Sequence, residues 1–256
     1  MFIGFELKNL KEDSFKGSFE KYLQIGKKDF DEFKLEIGET IKEFSNIDGS
    51  IDGDKMQSAW FPQIDADIFL SHSHADEDLV IAFAGWLKHF FDLKVFVDSC
   101  IWGYSKVLQN IIDEKYNKIA DGKYHYDKVL YASSHVHMML NTALMQMIDN
   151  CECIIFLNTP NSVKPTEVLD KVVSPWIYSE IGMTKLIKRK KIDEHRIKKL
   201  YEETKTFSAF EIEYNLDTDH LMQLTITDLN NWTESFSDKS GYALDYLYQL
   251  KLTDVS

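Results

Sequence analysis

Apolar residues recur along the chain in two patterns that alternate with each other. Short apolar runs occupy residues 67–71, 94–98 and 153–157, and polar residues bound each run, as is typical of buried strands. Stripes at helical spacing lie between these runs, and the clearest of them comprises Leu79, Phe83, Trp86, Leu87 and Phe90. Strands that alternate with amphipathic helices predict an α/β fold, in which a parallel sheet is built with right-handed crossovers.

The two ends of the chain follow other patterns. Aromatic stripes in residues 15–23 and 30–44 fit two helical faces, and a turn-rich segment follows at residues 46–54. We therefore predict an accessory helical region at 1–60 and an α/β domain at 61–256. Strand-like alternation around residues 210–214 and 224–226 indicates that a C-terminal extension completes or extends the sheet.

Composition and charge narrow the classes of partner. The net charge is −13 and the chain holds only two arginines, which argues against a nucleic-acid surface. No apolar stretch is long enough to span a membrane, and the apolar run at the start is too short for a signal peptide. Three cysteines do not make a disulfide framework, so we expect a reduced cytoplasmic protein without nucleic-acid or membrane partners.

A polar turn follows the first apolar run, where a strand gives way to a helix. Ligands bind at the carboxyl ends of parallel strands in open α/β sheets, so we expect Ser71 and His72 to contact a substrate. The alternative is a plain polar turn that caps the helix. His72 and His74 have no clear third ligand, and no metal site is expected.

Two aromatic residues, Trp102 and Tyr104, lie in the loop after the second run. If they are exposed, they can stack on a substrate ring or bind another protomer, because tryptophan and tyrosine are enriched at interfaces. The equally open alternative is that they anchor the loop on the core.

The segment Ser174-Pro-Trp-Ile-Tyr-Ser-Glu180 predicts the start of a helix. Ser174 is a favourable N-cap, and Pro175 falls at the first helical position. Trp176 and Glu180 are four residues apart, so they share a helical face and place an indole beside a potential acid. The alternative is an ordinary amphipathic helix with a buried tryptophan and a solvated glutamate.

Five pieces of the chain, taken in order, resemble Toll/interleukin-1 receptor (TIR) domains. They are Asp67-Ile-Phe-Leu-Ser-His-Ser-His-Ala-Asp76, Trp86-Leu87, Val95-Phe-Val-Asp98, the segment from Ala143 to Leu157, and Ser174-Pro-Trp-x-x-x-Glu180. The resemblance covers about residues 64 to 190 and implies a flavodoxin-like parallel sheet flanked by helices. The chain departs from the family at an insertion near residues 115–137.

In enzymatic TIR domains, the glutamate that matches Glu180 is the catalytic residue of an NAD⁺ glycohydrolase. The resemblance therefore implies that NAD⁺ is the substrate, with Trp176 among the substrate contacts and no other cofactor. The products would be nicotinamide and an ADP-ribose-type nucleotide, which is cyclic or conjugated in some members. Bacterial members of the Thoeris type act in anti-phage defence through a separate effector that responds to the product. Their sites can form between associated TIR domains.

Two other functions stay open at this point. Many TIR domains are non-catalytic scaffolds that act through TIR–TIR association, and the same fold signals would be present in them. A nucleoside deoxyribosyltransferase-like enzyme would share the α/β layout and a catalytic glutamate. The offset between Trp176 and Glu180 favours the NAD⁺-cleaving enzyme.

Overall fold

The computed structural model describes residues 1–33, 52–102, 105–120, 122–163, 171–172, 174–187, 189–192, 214–215, 218, 220–237 and 241–252. The strands in these ranges are β1 (Ile3–Lys8), β2 (Ile68–Ser71), β3 (Val95–Phe96), β4 (Lys118–Ala120), β5 (Lys123–Tyr124), β6 (Cys153–Asn158), β7 (Lys171–Val172), β8 (Tyr214–Asn215) and β9 (Met222–Leu224). The helices are α1 (Phe19–Phe33), α2 (Gly53–Trp60), α3 (Glu77–Phe91), α4 (Asp98–Ile101), α5 (Ser105–Ile112), α6 (Tyr126–Asn150), α7 (Pro175–Leu186), α8 (Ile226–Ser235) and α9 (Ala243–Leu252).

Five of these strands form the central sheet in the order β3-β2-β6-β1-β9, and every neighbouring pair is parallel. The chain runs from β2 to β3 on one side and returns to β6 on the other, so the strand order reverses beside β2. Such a reversal is the switch point of flavodoxin-like folds. The predicted α/β fold with a parallel sheet flanked by helices is confirmed.

The N-terminal residues correct the predicted domain boundary. Strand β1 lies between β6 and β9 in the interior of the sheet, and every residue from 3 to 7 is buried. The carboxylate of Glu6 accepts hydrogen bonds from the side-chain amides of Asn158 and Gln223. An accessory region at residues 1–60, with the domain starting at 61, is therefore wrong. A strand that is buried on both faces does not show the alternation of apolar and polar residues by which a half-buried strand is recognised in a sequence.

The first aromatic stripe is confirmed as helical from Phe19 onward, because α1 covers residues 19–33, whereas Phe15 lies in a separate 3-10 turn over Glu12–Phe15. Helices α1 and α3 approach closely where two glycines meet. A Cβ atom on Gly85 would lie 2.0 Å from the carbonyl oxygen of Tyr22, and one on Gly26 would lie 2.2 Å from that of Ile81. The contact therefore requires residues without side chains. The part of the second predicted stripe beyond residue 33 lies outside the described residues.

The insertion near residues 115–137 is built from the end of a π-helical turn (Asp113–Asn117), the β4–β5 hairpin and the first turns of α6. The strands β4 and β5 pair antiparallel, and the described residues from 118 to 128 are all exposed. Exposed large apolar side chains gather on this insertion and on α5, namely Val107, Tyr116, Ile119, Tyr124, Tyr126, Leu130 and Tyr131. The insertion thus presents an aromatic surface to solvent.

The C-terminal extension adds β9 to the edge of the central sheet, which confirms that it extends the sheet. The predicted bounds of 224–226 are wrong, because the strand ends at Leu224 and Ile226 begins α8. Tyr214 lies in β8, which pairs antiparallel with β7 outside the central sheet. Residues 210–213 lie outside the described residues. In the part of the chain that the structure describes, no helix combines the length and the apolarity that a membrane span needs.

Candidate functional site

Helix α7 begins as the sequence predicts and is fixed on the sheet. Ser174 Oγ accepts a hydrogen bond from the backbone N–H of Ile177 at 3.4 Å, which caps the helix. The buried side chains of Ile177 and Ile181 pack with Phe156 of β6. This packing holds the intervening turn against the sheet, and Glu180 lies on that turn.

Glu180 is buried and bonded to the end of a strand. Its side chain is 5% exposed, and Ser71, the last residue of β2, donates its hydroxyl proton to Glu180 Oε2 at 2.5 Å. Burial raises the pKa of Glu180 well above its ordinary value, and the negative charge of Asp98 raises it further. The hydrogen bond from Ser71 acts in the opposite direction and lowers this pKa. Glu180 and Ser71, which the sequence predicts separately as site residues, therefore meet in one buried contact, and a solvated Glu180 is excluded.

His72 and Asp98 border the same contact. His72 is also buried, and its Nε2 lies 3.3 Å from Ser99 Oγ. Burial lowers the pKa of His72, while the negative charge of Asp98 opposes that shift. Burial is the larger cause of both pKa shifts, and the charge of Asp98 contributes to the electrostatic environment of both His72 and Glu180.

Asp98 is the residue that the sequence reasoning missed. It begins α4 two residues after β3 ends, much as Ser71 closes β2. Carboxyl ends of neighbouring parallel strands meet at one edge of a sheet, so a polar residue after each strand was the available signal. The sequence reasoning treated Asp98 only as the end of a strand.

The arrangement can stabilise positive charge. The negative charge of the partly buried Asp98 acts on the buried Glu180, and electrostatic interactions at a buried group are stronger than in water. A cation placed beside Glu180 would favour its ionised form, and the Ser71 hydroxyl is already positioned to bond one of its oxygens. Perturbed carboxyl groups of this kind are typical of functional sites.

Trp176 lies one helical turn before Glu180 and is half-buried. Its ring centroid is 5.7 Å from that of His137 on α6. Ser179 of α7 also bonds α6, donating its hydroxyl to Asn141 Oδ1 at 2.9 Å. The indole therefore lines the junction of α6 and α7 with part of its surface accessible, and a substrate contact for Trp176 stays a prediction.

Trp102 is buried, which corrects the expectation of an exposed aromatic loop. Its side chain is 5% exposed, and its ring lies 4.7 Å from Phe96 and 5.5 Å from Phe61, centroid to centroid. Its Nε1–H donates to the carbonyl oxygen of Pro62 at 2.9 Å. Trp102 thus anchors the loop on the core, since its ring is buried against Phe61 and Phe96 and its indole N–H is hydrogen-bonded. Tyr104 lies outside the described residues.

Among the described residues, no group of three or more histidine, cysteine, aspartate or glutamate side chains is arranged to hold a metal ion. Cys151 and Cys153 are buried free thiols, and burial raises the pKa of both. Comparisons of the chain with protein-family models, with curated proteins and with solved structures find no match.

Proposed function

We propose that this protein cleaves the bond between nicotinamide and ribose in NAD⁺, with Glu180 as the catalytic carboxylate. The observation that carries the proposal is the buried contact between Glu180 and Ser71 at the carboxyl edge of a flavodoxin-like sheet. The resemblance of the surrounding motifs to TIR domains supplies the substrate class. Residues Ser71 and His72 border the reacting sugar in this proposal.

The chemistry requires one well-placed anion. The nicotinamide ring carries a positive charge, and when the bond breaks the electron pair leaves with the ring, which departs neutral. Positive charge then develops on the sugar carbon, where a carboxylate stabilises it as in glycoside cleavage. Water forms the new bond to that carbon and loses a proton, which gives ADP-ribose. An adenine or ribose atom of the same molecule gives a cyclic isomer instead, and an outside nucleophile gives a conjugate.

The raised pKa of Glu180 is consistent with a site that binds a cationic substrate. In the free protein, burial and Asp98 favour the protonated form of Glu180. The cationic nicotinamide riboside favours the ionised form, because an opposite charge nearby lowers the pKa of a carboxyl group. Substrate binding and proton release by Glu180 are then coupled.

The direct test follows nicotinamide release from NAD⁺ by the purified protein, with NADH and deoxyribonucleosides as parallel substrates. Release from NAD⁺ but not from NADH is expected, because dihydronicotinamide carries no positive charge and is a poor leaving group. Cleavage of deoxyribonucleosides instead would assign the deoxyribosyltransferase-like reaction. If none of these substrates is cleaved, the protein is better explained as a non-catalytic scaffold.

A role in association is the second candidate, and the aromatic surface of the insertion favours it. Exposed apolar side chains that gather on one surface mark interaction sites, and Lys115 and Lys123 lie near them in sequence on a chain of net charge −13. This charge contrast suits a second copy of the chain as the partner. Light scattering of wild type and Tyr131→Glu over a range of concentrations tests it, and a monomer at every concentration would contradict it.

The biological setting follows from the proposed reaction and the resemblance. A bacterial NAD⁺-cleaving protein of this kind would act in anti-phage defence, and its nucleotide product would activate a separate effector protein. Transfer of reaction products to candidate effectors tests this step independently of turnover.

A further inference from the structure

A cavity of about 640 Å³ opens beside the carboxyl ends of β1, β2 and β6. Its walls come from three segments, residues 9–12, 74–79 and 158–160. The volume falls in the range of small-molecule sites, and the carboxyl ends of parallel strands are where open α/β sheets bind ligands. Neither Glu180 nor Ser71 belongs to the lining, so the proposed reaction does not account for this space.

The cavity adjoins the Glu180 site through one turn. His72 lies on the side of Asp98 and Ser99, His74 lines the cavity, and their ring centroids are 6.0 Å apart. The Cα atoms of Ser71 and His74 are at most about 10 Å apart, the reach of three residues. An extended dinucleotide is longer than this separation, so its length matches the spacing of the two places.

The lining is acidic and rich in hydrogen-bonding groups. The lining includes Glu12, Glu77 and Asp78 but one lysine, Lys11, and Asp78 also forms an ion pair with Lys27 at 3.4 Å. Such a surface disfavours phosphate groups, whereas carboxylates accept hydrogen bonds from ribose hydroxyls, as they do in dinucleotide-binding sheets.

Two further features give the cavity a fixed polar wall. Asp76 is buried, and its carboxylate accepts hydrogen bonds from Thr159 Oγ1 at 2.5 Å and from Asn161 Nδ2 at 2.7 Å. A carboxylate has about four acceptor positions, so two stay available on Asp76. Asn9 turns the chain after β1 with φ of 60°, a conformation that asparagine tolerates, and places an amide at the rim.

We infer that this cavity binds the adenosine end of the dinucleotide while the nicotinamide ribose lies at Glu180. The inference rests on the proposed function for the identity of the whole substrate. The neutral nucleoside suits the acidic lining, its hydroxyls meet the carboxylates, and the side-chain amide of Asn9 at the rim can bond the base.

The test fills the cavity without touching Glu180. Ala75 is exposed and lines the cavity, whereas Ala120 is exposed on the distant insertion, so Ala75→Trp has Ala120→Trp as its matched control. Turnover is compared between NAD⁺ and nicotinamide mononucleotide, which has the same scissile bond but no adenosine. In Ala75→Trp the preference for NAD⁺ in kcat/KM should fall about tenfold, equivalent to about 1.4 kcal/mol, while Ala120→Trp keeps it.

A binding experiment separates failure of the cavity from failure of the reaction. Calorimetric titration with adenosine should show binding to wild type and Ala120→Trp, and binding about tenfold weaker or lost in Ala75→Trp. If wild type binds adenosine and Ala75→Trp does not, while wild type releases no nicotinamide from NAD⁺, the result supports the cavity and refutes the reaction. Absent binding to wild type, or equal binding to folded Ala75→Trp, would overturn the inference. If Ala75→Trp does not fold, Asn9→Gly, which keeps the positive φ, must weaken adenosine binding.

Discussion

Replacing Ser71 by alanine removes the hydroxyl that bonds Glu180 and leaves the rest of the site in place. Both side chains are almost completely buried, and the oxygen atoms are 2.5 Å apart. Hydrogen bonds to charged groups contribute about 1.5 to 3 kcal/mol. Because 1.4 kcal/mol corresponds to a factor of ten, kcat/KM for NAD⁺ should fall about tenfold to hundredfold at neutral pH.

The dependence of kcat/KM on pH should also change, and the direction of that change follows from the pKa of Glu180. The Ser71 hydrogen bond lowers the pKa of Glu180, so its removal raises that pKa. If ionised Glu180 is required, kcat/KM falls as pH drops through this pKa in the free enzyme. The acidic limb of kcat/KM against pH should therefore move to higher pH in Ser71→Ala, and the loss of activity should shrink as pH rises.

A control on the same helix distinguishes this effect from general damage. Ser179→Ala removes a hydrogen bond between α7 and α6 without contacting Glu180. It should leave the acidic limb where it is in wild type. An unmoved limb in a folded Ser71→Ala protein would refute the role assigned to this hydrogen bond.

The remaining predictions concern Asp98, the α1–α3 contact and β1. Asp98→Asn removes a negative charge that raises the pKa of Glu180, so the acidic limb of kcat/KM should move to lower pH, opposite to Ser71→Ala. Gly85→Ala should lower the free energy of unfolding by about 1 to 3 kcal/mol, because its Cβ meets backbone atoms of α1, whereas Gly182→Ala, where nothing lies within 4 Å, should not destabilise the protein. Leu7→Ala should cost about 2 to 5 kcal/mol in denaturant unfolding, and an unchanged midpoint would contradict the central place of β1.

The sequence predicts those elements whose signals are local. The apolar runs of β2, β3 and β6, the stripe of α3 and the Ser174 cap of α7 each lie within a few residues, and the structure contains all of them. Strand β1 could not be recognised in this way. Glu6 interrupts its apolar run, and the partners that satisfy this buried carboxylate, Asn158 and Gln223, come from strands far along the chain.

Some residues of the candidate site are likewise identified by local sequence features, and others depend on contacts between distant parts of the chain. Glu180 and Ser71 are identified by a helix start and a strand end, which are local features. The influence of Asp98 on Glu180 exists only once β2, β3 and α7 are brought together. The burial of Trp102 likewise depends on Phe61 and Phe96, so an aromatic residue in a loop does not by itself indicate an exposed surface.

The central claim is that Glu180 performs the chemistry at the cost of stability, and one substitution tests both parts. Glu180→Gln is compared with wild type and with Glu152→Gln, a buried glutamate that bonds Tyr248, for nicotinamide release and for thermal unfolding. The pKa of Glu180 is raised in the folded state, so wild type loses stability as pH rises from the ordinary value of 4.5 through the folded pKa. Glutamine has no such loss, and the melting temperature of Glu180→Gln relative to wild type should therefore increase with pH.

The account predicts that folded Glu180→Gln releases no nicotinamide from NAD⁺ while Glu152→Gln retains activity. Release by folded Glu180→Gln at the wild-type rate would contradict it.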